Sequence, residues 1–197
     1  MPKLEQNDLH ELEILKQIEE SPTLTNRTAA TRLGVSVKLA HETLKRMVSR
    51  GLLHVKKLNS RRWDYFLTPS GIAEKARLTV EFVEFSMGFY REARRQSAQV
   101  CRKLSEQNLK TVALLGSGDI AEIIYLGIQE WDLTLLGIFD DGADKESFMG
   151  VDVQPAAALK LTDAAAIIVA VYDQRQPMSG QFLPAGVDRD ERMHWIF

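Results

Sequence analysis

Between Ser70 and Gln107 the chain has no proline, and beyond the opening turn only one glycine, Gly88. Nothing in that stretch stops a helix, so one helix or two collinear ones would run on the order of 55 Å at about 1.5 Å per residue. Such a helix outreaches the domain that begins it. Ile72, Ala76, Val80, Val83, Met87 and Tyr90 trace one apolar stripe along it, and Leu78, Phe82, Phe85 and Phe89 trace a second. A helix apolar on two sides needs two packing surfaces. One is its own N-terminal domain; the other is a partner subunit, giving a homodimer, or the C-terminal domain of the same chain. Arg91, Arg94, Arg95, Arg102 and Lys103 read as a solvated face. The expected organisation is a first domain over 1–69, a connecting and dimerisation helix over 70–108, and a second domain over 109–197.

Charge separates the same two parts. The whole chain carries 25 Lys and Arg against 27 Asp and Glu. Up to Lys110 the count is 20 against 13, a balance of +7, and beyond it 5 against 14, a balance of −9. A basic half beside an acidic one points to two domains with different partners, the basic one suited to phosphates. A merely basic surface is the plainer alternative. No apolar run reaches the roughly 18 residues of a membrane span, and MPKLEQNDLH lacks the order of a signal peptide, so a cytoplasmic protein without a membrane partner is expected. Cys101 is the single cysteine, and His10, His41, His54 and His194 are scattered without ligand-like spacing, so no metal site is expected.

In the first part, Leu9, Leu12, Leu15 and Ile18 recur at helical spacing behind a cap at Asn7 or Asp8, and Ser21-Pro22 ends that helix. Thr25 is placed to cap a short second helix that Gly34 breaks. Ser36 is placed to cap a third, from Val37 to about Arg50. Ala40, Leu44, Met47 and Val48 share its inward face, whereas Lys38, His41, Glu42 and Lys45 lie outward. Strands over Leu52–Lys57 and Trp63–Leu67, joined through Asn59-Ser60, form a hairpin with Arg61 and Arg62 near its tip. Helix-turn-helix followed by a basic hairpin is the pattern of a winged helix. Its third helix fits the major groove, and hairpin arginines reach a phosphate or the minor groove.

The run LTNRTAATRLGVSVKLAHETLKRMVSRGLLHVKK, closed by YFLTPSGIAEKARLT, resembles MarR-type winged-helix regulators, especially the subgroup associated with extracellular polysaccharide production. The resemblance spans about residues 8 to 95. It is carried by the Leu33-Gly34-Val35-Ser36 turn, the exit Lys45-Arg46-Met47-Val48-Ser49-Arg50-Gly51-Leu52, and the entry Leu67-Thr68-Pro69-Ser70-Gly71. It implies double-stranded DNA as partner, with Ser36, Lys38, His41, Glu42 and Lys45 on the helix and Arg61 and Arg62 on the wing as DNA-facing positions. Glu42 departs from the basic or neutral residue often found there; it either accepts from a cytosine amino group or pairs with Lys45 or Lys38.

In the second part, Thr111-Val112-Ala113-Leu114-Leu115 reads as a buried strand running into Gly116-Ser117-Gly118-Asp119-Ile120-Ala121, after which Ile123, Ile124, Leu126 and Ile128 give helical spacing. Gly116 permits a tight turn, Gly118 lets a phosphate approach, and Ala121 lets the helix lie close to the strand. A second strand, Leu133–Phe139, ends at Asp140-Asp141, where a dinucleotide fold places a ribose-binding acid. The expected ligand residues are Gly116, Ser117, Gly118, Asp119, Ile120, Asp140 and Asp141. A Gly150–Val153 segment, a short helix Pro155–Leu161, a strand Ala165–Tyr172 and a last strand His194–Phe197 complete half of a Rossmann-like parallel sheet. The series LLGSGDIAEI, LLGIFDD, FMGVDVQP resembles the nucleotide-sugar-binding domain of sugar acyltransferases and the small domain of repressors that read NADH. Those repressors also place a winged helix before the Rossmann domain; the long terminal helix they exchange between subunits has no counterpart here. The resemblance implies a nucleotide, NAD(H) or nucleotide sugar as effector, although Asp119 brings a negative charge to the phosphate position.

The leading expectation is therefore a DNA-binding regulator with a metabolite-sensing second domain, serving surface-polysaccharide control. A nucleotide-dependent enzyme is disfavoured, since the 87 residues after Lys110 leave little room for a substrate lobe and no nucleophile stands beside an obvious base. Two alternatives stay open: a second domain that is a structural or assembly module, and a scaffold in which both domains bind proteins.

Overall fold

The structure, a computed structural model, describes residues 5–59, 62–142, 146–171 and 182–197. The chain divides into two compact units, Met1–Gly88 and Phe89–Phe197. The division falls inside the long helix rather than at either of its ends.

The first unit opens with helix α1, Gln6–Glu20. Its cap is Glu5 and not the expected Asn7 or Asp8: the Asp8 carboxylate, three residues on, reaches back to accept the Glu5 N–H at 3.2 Å. An acid in the third helical position serves the first turn this way as well as a cap does. Helix α2, Asn26–Leu33, starts as expected at Thr25, whose hydroxyl accepts the Thr28 N–H at 3.1 Å, and ends at Gly34 with φ of +64°. Helix α3, Val37–Ser49, starts at Ser36, which accepts the Leu39 N–H at 3.2 Å. Strands β1, Leu53–Asn59, and β2, Arg62–Leu67, pair antiparallel. The expected turn residue Ser60 and the wing residue Arg61 lie outside the described residues.

Helix α4 runs from Pro69 to Glu106 without a break. The sequence before it has a steric logic: Thr68 accepts the Gly71 N–H at 3.0 Å and donates its hydroxyl to the Gly51 carbonyl at 2.6 Å. A Cβ at position 71 would stand 2.1 Å from the Leu52 carbonyl oxygen, so only glycine lets the helix start this close to the hairpin. Leu12, Ile14, Leu15, Ile18, Ala29, Ala40, Leu44, Met47 and Leu78 form the first core. At its edge Glu11, 4% exposed, accepts from Arg46 at 3.2 Å and from Arg50 at 2.6 Å, and Arg50 also donates to Glu74 at 3.0 Å. This ties α1, α3 and α4 through charge-assisted hydrogen bonds.

The second unit is a sheet of β3 (Thr111–Leu115), β4 (Thr134–Phe139), β5 (Ser147–Phe148), β6 (Val151–Gln154), β7 (Ala166–Val169) and β8 (Met193–Trp195), in the order β5-β6-β4-β3-β7-β8. Without β5 the strands are parallel, and numbered by appearance their order is 3-2-1-4-5, that of a dinucleotide fold. The expectation of a purely parallel sheet is corrected by β5, which pairs antiparallel with β6. The two-residue loop Met149-Gly150, with φ of +50° and +81°, makes that hairpin. The short helix expected over Pro155–Leu161 is present as a 3₁₀ helix, Ala156–Leu161, and the strand expected over Ala165–Tyr172 is shorter, Ala166–Val169, with Tyr172 outside the described residues.

Alternation along β3 separates the two faces of this sheet. Val112 and Leu114 join Ala93, Cys101 and Leu104 of α4 and Ile120, Ile124 and Ile128 of helix α5, Asp119–Glu130. Ala113 and Leu115 join Phe139, Ala156, Leu159, Ile167 and Val169 on the other side. Both faces are covered, which is why these strands read as continuous apolar runs.

Candidate nucleic-acid interface and glycine turn

Helix α3 is amphipathic to its core. Ala40, Thr43, Leu44 and Met47 are buried, whereas Lys38, His41, Glu42 and Lys45 are all exposed, three and four residues apart and so on one face. Neither Lys38, Lys45 nor Glu42 makes an ion pair among the described residues, so the pairing of Glu42 with a neighbouring lysine, one of its two expected roles, is not formed. Ser36 is exposed, but its hydroxyl is engaged in capping. Arg62 belongs to β2, in register with Asn59.

Two residues here are missing from the sequence-derived set. Asn26, the first residue of α2, places its side-chain nitrogen 3.0 Å from His41 Nδ1. Trp63, 48% exposed on β2, lines an apolar cleft with His41, Lys45, Val48, Val55 and Tyr65, between α3 and the hairpin. The Asn26 contact joins positions 15 residues apart across a turn, beyond what helical periodicity reveals. Trp63 reads in the sequence only as the start of a strand.

The glycine turn of the second unit lies at the end of β3, where strand order reverses, the usual ligand crevice of such sheets. Gly116 is buried at φ of +108°, and a Cβ on it would stand 2.7 Å from Val171 Cγ1. Gly118 caps α5 and faces open space, with no atom within 4 Å of the position of a Cβ. Ser117 donates both its backbone N–H, at 2.8 Å, and its hydroxyl, at 2.7 Å, to Asp140 Oδ2. Asp140 Oδ1 accepts the Gly142 N–H at 2.9 Å, and Asp141 accepts the Ala156 N–H at 2.9 Å. Burial raises the Asp140 pKa, but these hydrogen bonds outweigh it and hold the carboxyl below its ordinary range. The structure thus brings Ser117 and Asp140 together and turns Asp141 to the chain's own backbone. Asp119 is exposed at the start of α5 and Ile120 is buried behind it.

Residues 7–53 match the family model of winged helix-turn-helix DNA-binding domains. The first unit carries a winged helix-turn-helix domain. No curated protein matches the chain. Among solved structures, the PcaV transcriptional regulator from Streptomyces coelicolor is similar at 27% identity and a TM-score of 0.37, over 41% of this chain and 60% of that one. The MepR–DNA complex of Staphylococcus aureus is similar at 24% identity and a TM-score of 0.37, over 43% of this chain and 60% of that one. Human N-acetylserotonin methyltransferase in complex with SAM is similar at 15% identity and a TM-score of 0.31, over 83% of this chain and 65% of that one. The chain therefore spans about three fifths of the length of the two regulators. Among the described residues no helix is long and apolar enough to cross a membrane, and no cluster of His, Cys, Asp and Glu has the arrangement of a metal site.

Proposed function

We propose that this protein is a MarR-type transcriptional regulator that binds double-stranded DNA as a homodimer. The observation that carries the reading is the outer face of α3. Lys38, His41, Glu42 and Lys45 project together from a helix whose other side is locked into the core of a winged helix-turn-helix. A major groove accepts such a helix and presents donors and acceptors to these side chains. Arg61 and Arg62, from the hairpin, serve the phosphate backbone or minor groove. The partner subunit packs on α4, where Val80 (58% exposed), Val83 (51%), Phe85 (41%) and Met87 would otherwise stay in water. Selection of binding sites from random duplexes, followed by fluorescence anisotropy at several salt concentrations, tests the reading. Sequence-selective binding with a steep salt dependence is expected.

The second unit is read as the sensor, with a nucleotide, NAD(H) or nucleotide sugar as effector and surface-polysaccharide genes as one regulated class. What supports this is the strand order and a glycine turn at the switch point, with the amides of Gly118, Asp119 and Ile120 unpaired among the described residues. These residues fit a phosphate if Asp140 keeps the turn closed through Ser117 and the phosphate rests on the following amides. A structural module is the second reading, favoured by the same Ser117–Asp140 bonds, which supply the turn with an anion from the chain itself. Thermal shift with NADH, NAD and UDP-sugars separates the two, since an effector raises the melting temperature by mass action.

A further inference from the structure

Asn26 does not belong to the third helix, yet it touches the one imidazole on that helix's outer face. Its side-chain nitrogen lies 3.0 Å from His41 Nδ1, while its Oδ1 is buried without a hydrogen-bond partner. Which end of an amide faces which neighbour is decided by the hydrogen-bond network. In the structure the amide nitrogen is the end placed toward His41 Nδ1. An amide NH2 only donates, so Nδ1 accepts, and the neutral ring carries its single proton on Nε2.

We propose that Asn26 is a positioning residue that holds His41 as an Nε2–H donor toward a base edge in the major groove. The inference rests on the DNA-binding reading of α3. A fixed donor at this position selects guanine N7 or O6, adenine N7 or thymine O4, and discriminates against the amino group of cytosine. Without Asn26 the ring would interchange tautomers and present donor or acceptor alike. Asn26 has little to do for the fold beyond this: the cap of α2 is Thr25, and the cap of α3 is Ser36.

The test has two arms. In the free protein, long-range proton–nitrogen NMR spectra of the imidazoles report the tautomer without any DNA. Wild-type His41 is expected with its proton on Nε2, Asn26→Ala with a mixture, and Asn26→Asp, whose carboxylate accepts, with the proton on Nδ1. In the DNA arm, binding sites are selected for wild type, Asn26→Ala, His41→Ala and the double variant. Asn26→Ala and His41→Ala should relax preference at the same base pair, by roughly threefold to tenfold, the scale of one hydrogen bond. The double variant should relax it no further than His41→Ala, as expected for one residue acting through the other. A wild-type proton on Nδ1, or an Asn26→Ala protein that keeps the base preference His41→Ala loses, overturns the inference. Wild-type protein that selects no sequence at all overturns the DNA reading itself, whatever the spectra show.

Discussion

Ser117 and Asp140, at the ends of the first two strands of the C-terminal sheet, are joined twice: the Ser117 backbone N–H and hydroxyl both donate to Asp140 Oδ2, at 2.8 and 2.7 Å. The carboxylate thus ties the glycine turn after the first strand to the end of the second. Asp140→Asn should cost about 1–2 kcal/mol of stability in urea unfolding, the lower part of the range for hydrogen bonds to a charged group because the site is partly solvated. The folded-state pKa of Asp140 lies below its ordinary value. Its contribution is therefore complete above the unfolded carboxylate range and is lost as the pH falls through the folded value. Wild type and Asp140→Asn should converge in stability on acidification; a gap that is constant with pH would show that the charge plays no part.

Lys38 and Lys45 are exposed and free of ion pairs among the described residues, so Lys38→Ala and Lys45→Ala should leave the melting temperature within about a degree of wild type while weakening DNA binding on the order of tenfold each. Arg61→Ala with Arg62→Ala should lower affinity for all duplexes alike and flatten the plot of log affinity against log salt by about one unit for each phosphate no longer neutralised. If the quadruple variant binds at the wild-type concentration, α3 and the hairpin do not form the DNA surface.

Much of the first unit is legible in its sequence because its signals are local. Thr25, Ser36 and Gly34 mark helix ends within one turn of the atoms they bond, and helical spacing sorts Ala40, Leu44 and Met47 from Lys38 and Lys45. The charged network is not legible this way: Glu11 meets Arg46 and Arg50 only once α1 and α3 have packed, 35 and 39 residues apart. The same holds for Asn26 with His41 and for Ser117 with Asp140, since the pattern in each case marks the residues as polar and says nothing of what they meet. The antiparallel strand β5 is two residues long, too short for alternation to register.

The long helix bears on assembly through residues that the sequence grouped differently. Of the second expected stripe, Leu78 is buried in the first core and Phe89 packs on the second, whereas Phe82 and Phe85 stay exposed with Val80, Val83 and Met87. The exposed apolar residues of the helix therefore come from both stripes, and the proposed dimer surface is made of them. Val83→Glu with Phe85→Glu should convert a dimer to monomer in sedimentation velocity without unfolding the first unit, and Phe89→Glu should instead destabilise the second. Wild-type protein that sediments as a monomer at micromolar concentration would remove the dimer.

Cys101 is fully buried against α5, and burial pushes its thiol up to about 11, against the smaller opposing pull of the Ser97 hydrogen bond. The reactive form is the thiolate, so the native protein should fail to react with iodoacetamide at neutral pH and react fully in denaturant. Rapid labelling of the folded protein would mean that α4 and α5 part readily.

The two turn glycines differ in what a side chain would meet, so they test folding and the proposed ligand site separately. At Gly116 a side chain meets Val171 Cγ1 at 2.7 Å and the Ala170 carbonyl carbon at 3.2 Å, and φ of +108° is a conformation that only glycine adopts without strain. Gly116→Val should therefore destabilise the second unit by several kcal/mol with or without any ligand, through overpacking together with backbone strain. At Gly118 the same change meets nothing within 4 Å and needs no unusual φ, so Gly118→Val should keep the unliganded melting temperature close to wild type. A phosphate resting on the amides of Gly118 to Ile120 would meet the new side chain directly. If a nucleotide raises the wild-type melting temperature, Gly118→Val should abolish that rise, and linkage requires that operator DNA alter nucleotide affinity by the same factor that the nucleotide alters DNA affinity. Stabilisation that survives Gly118→Val would put the ligand elsewhere, and no stabilisation by any nucleotide tried would leave Ser117 and Asp140 as the turn's whole electrostatic design.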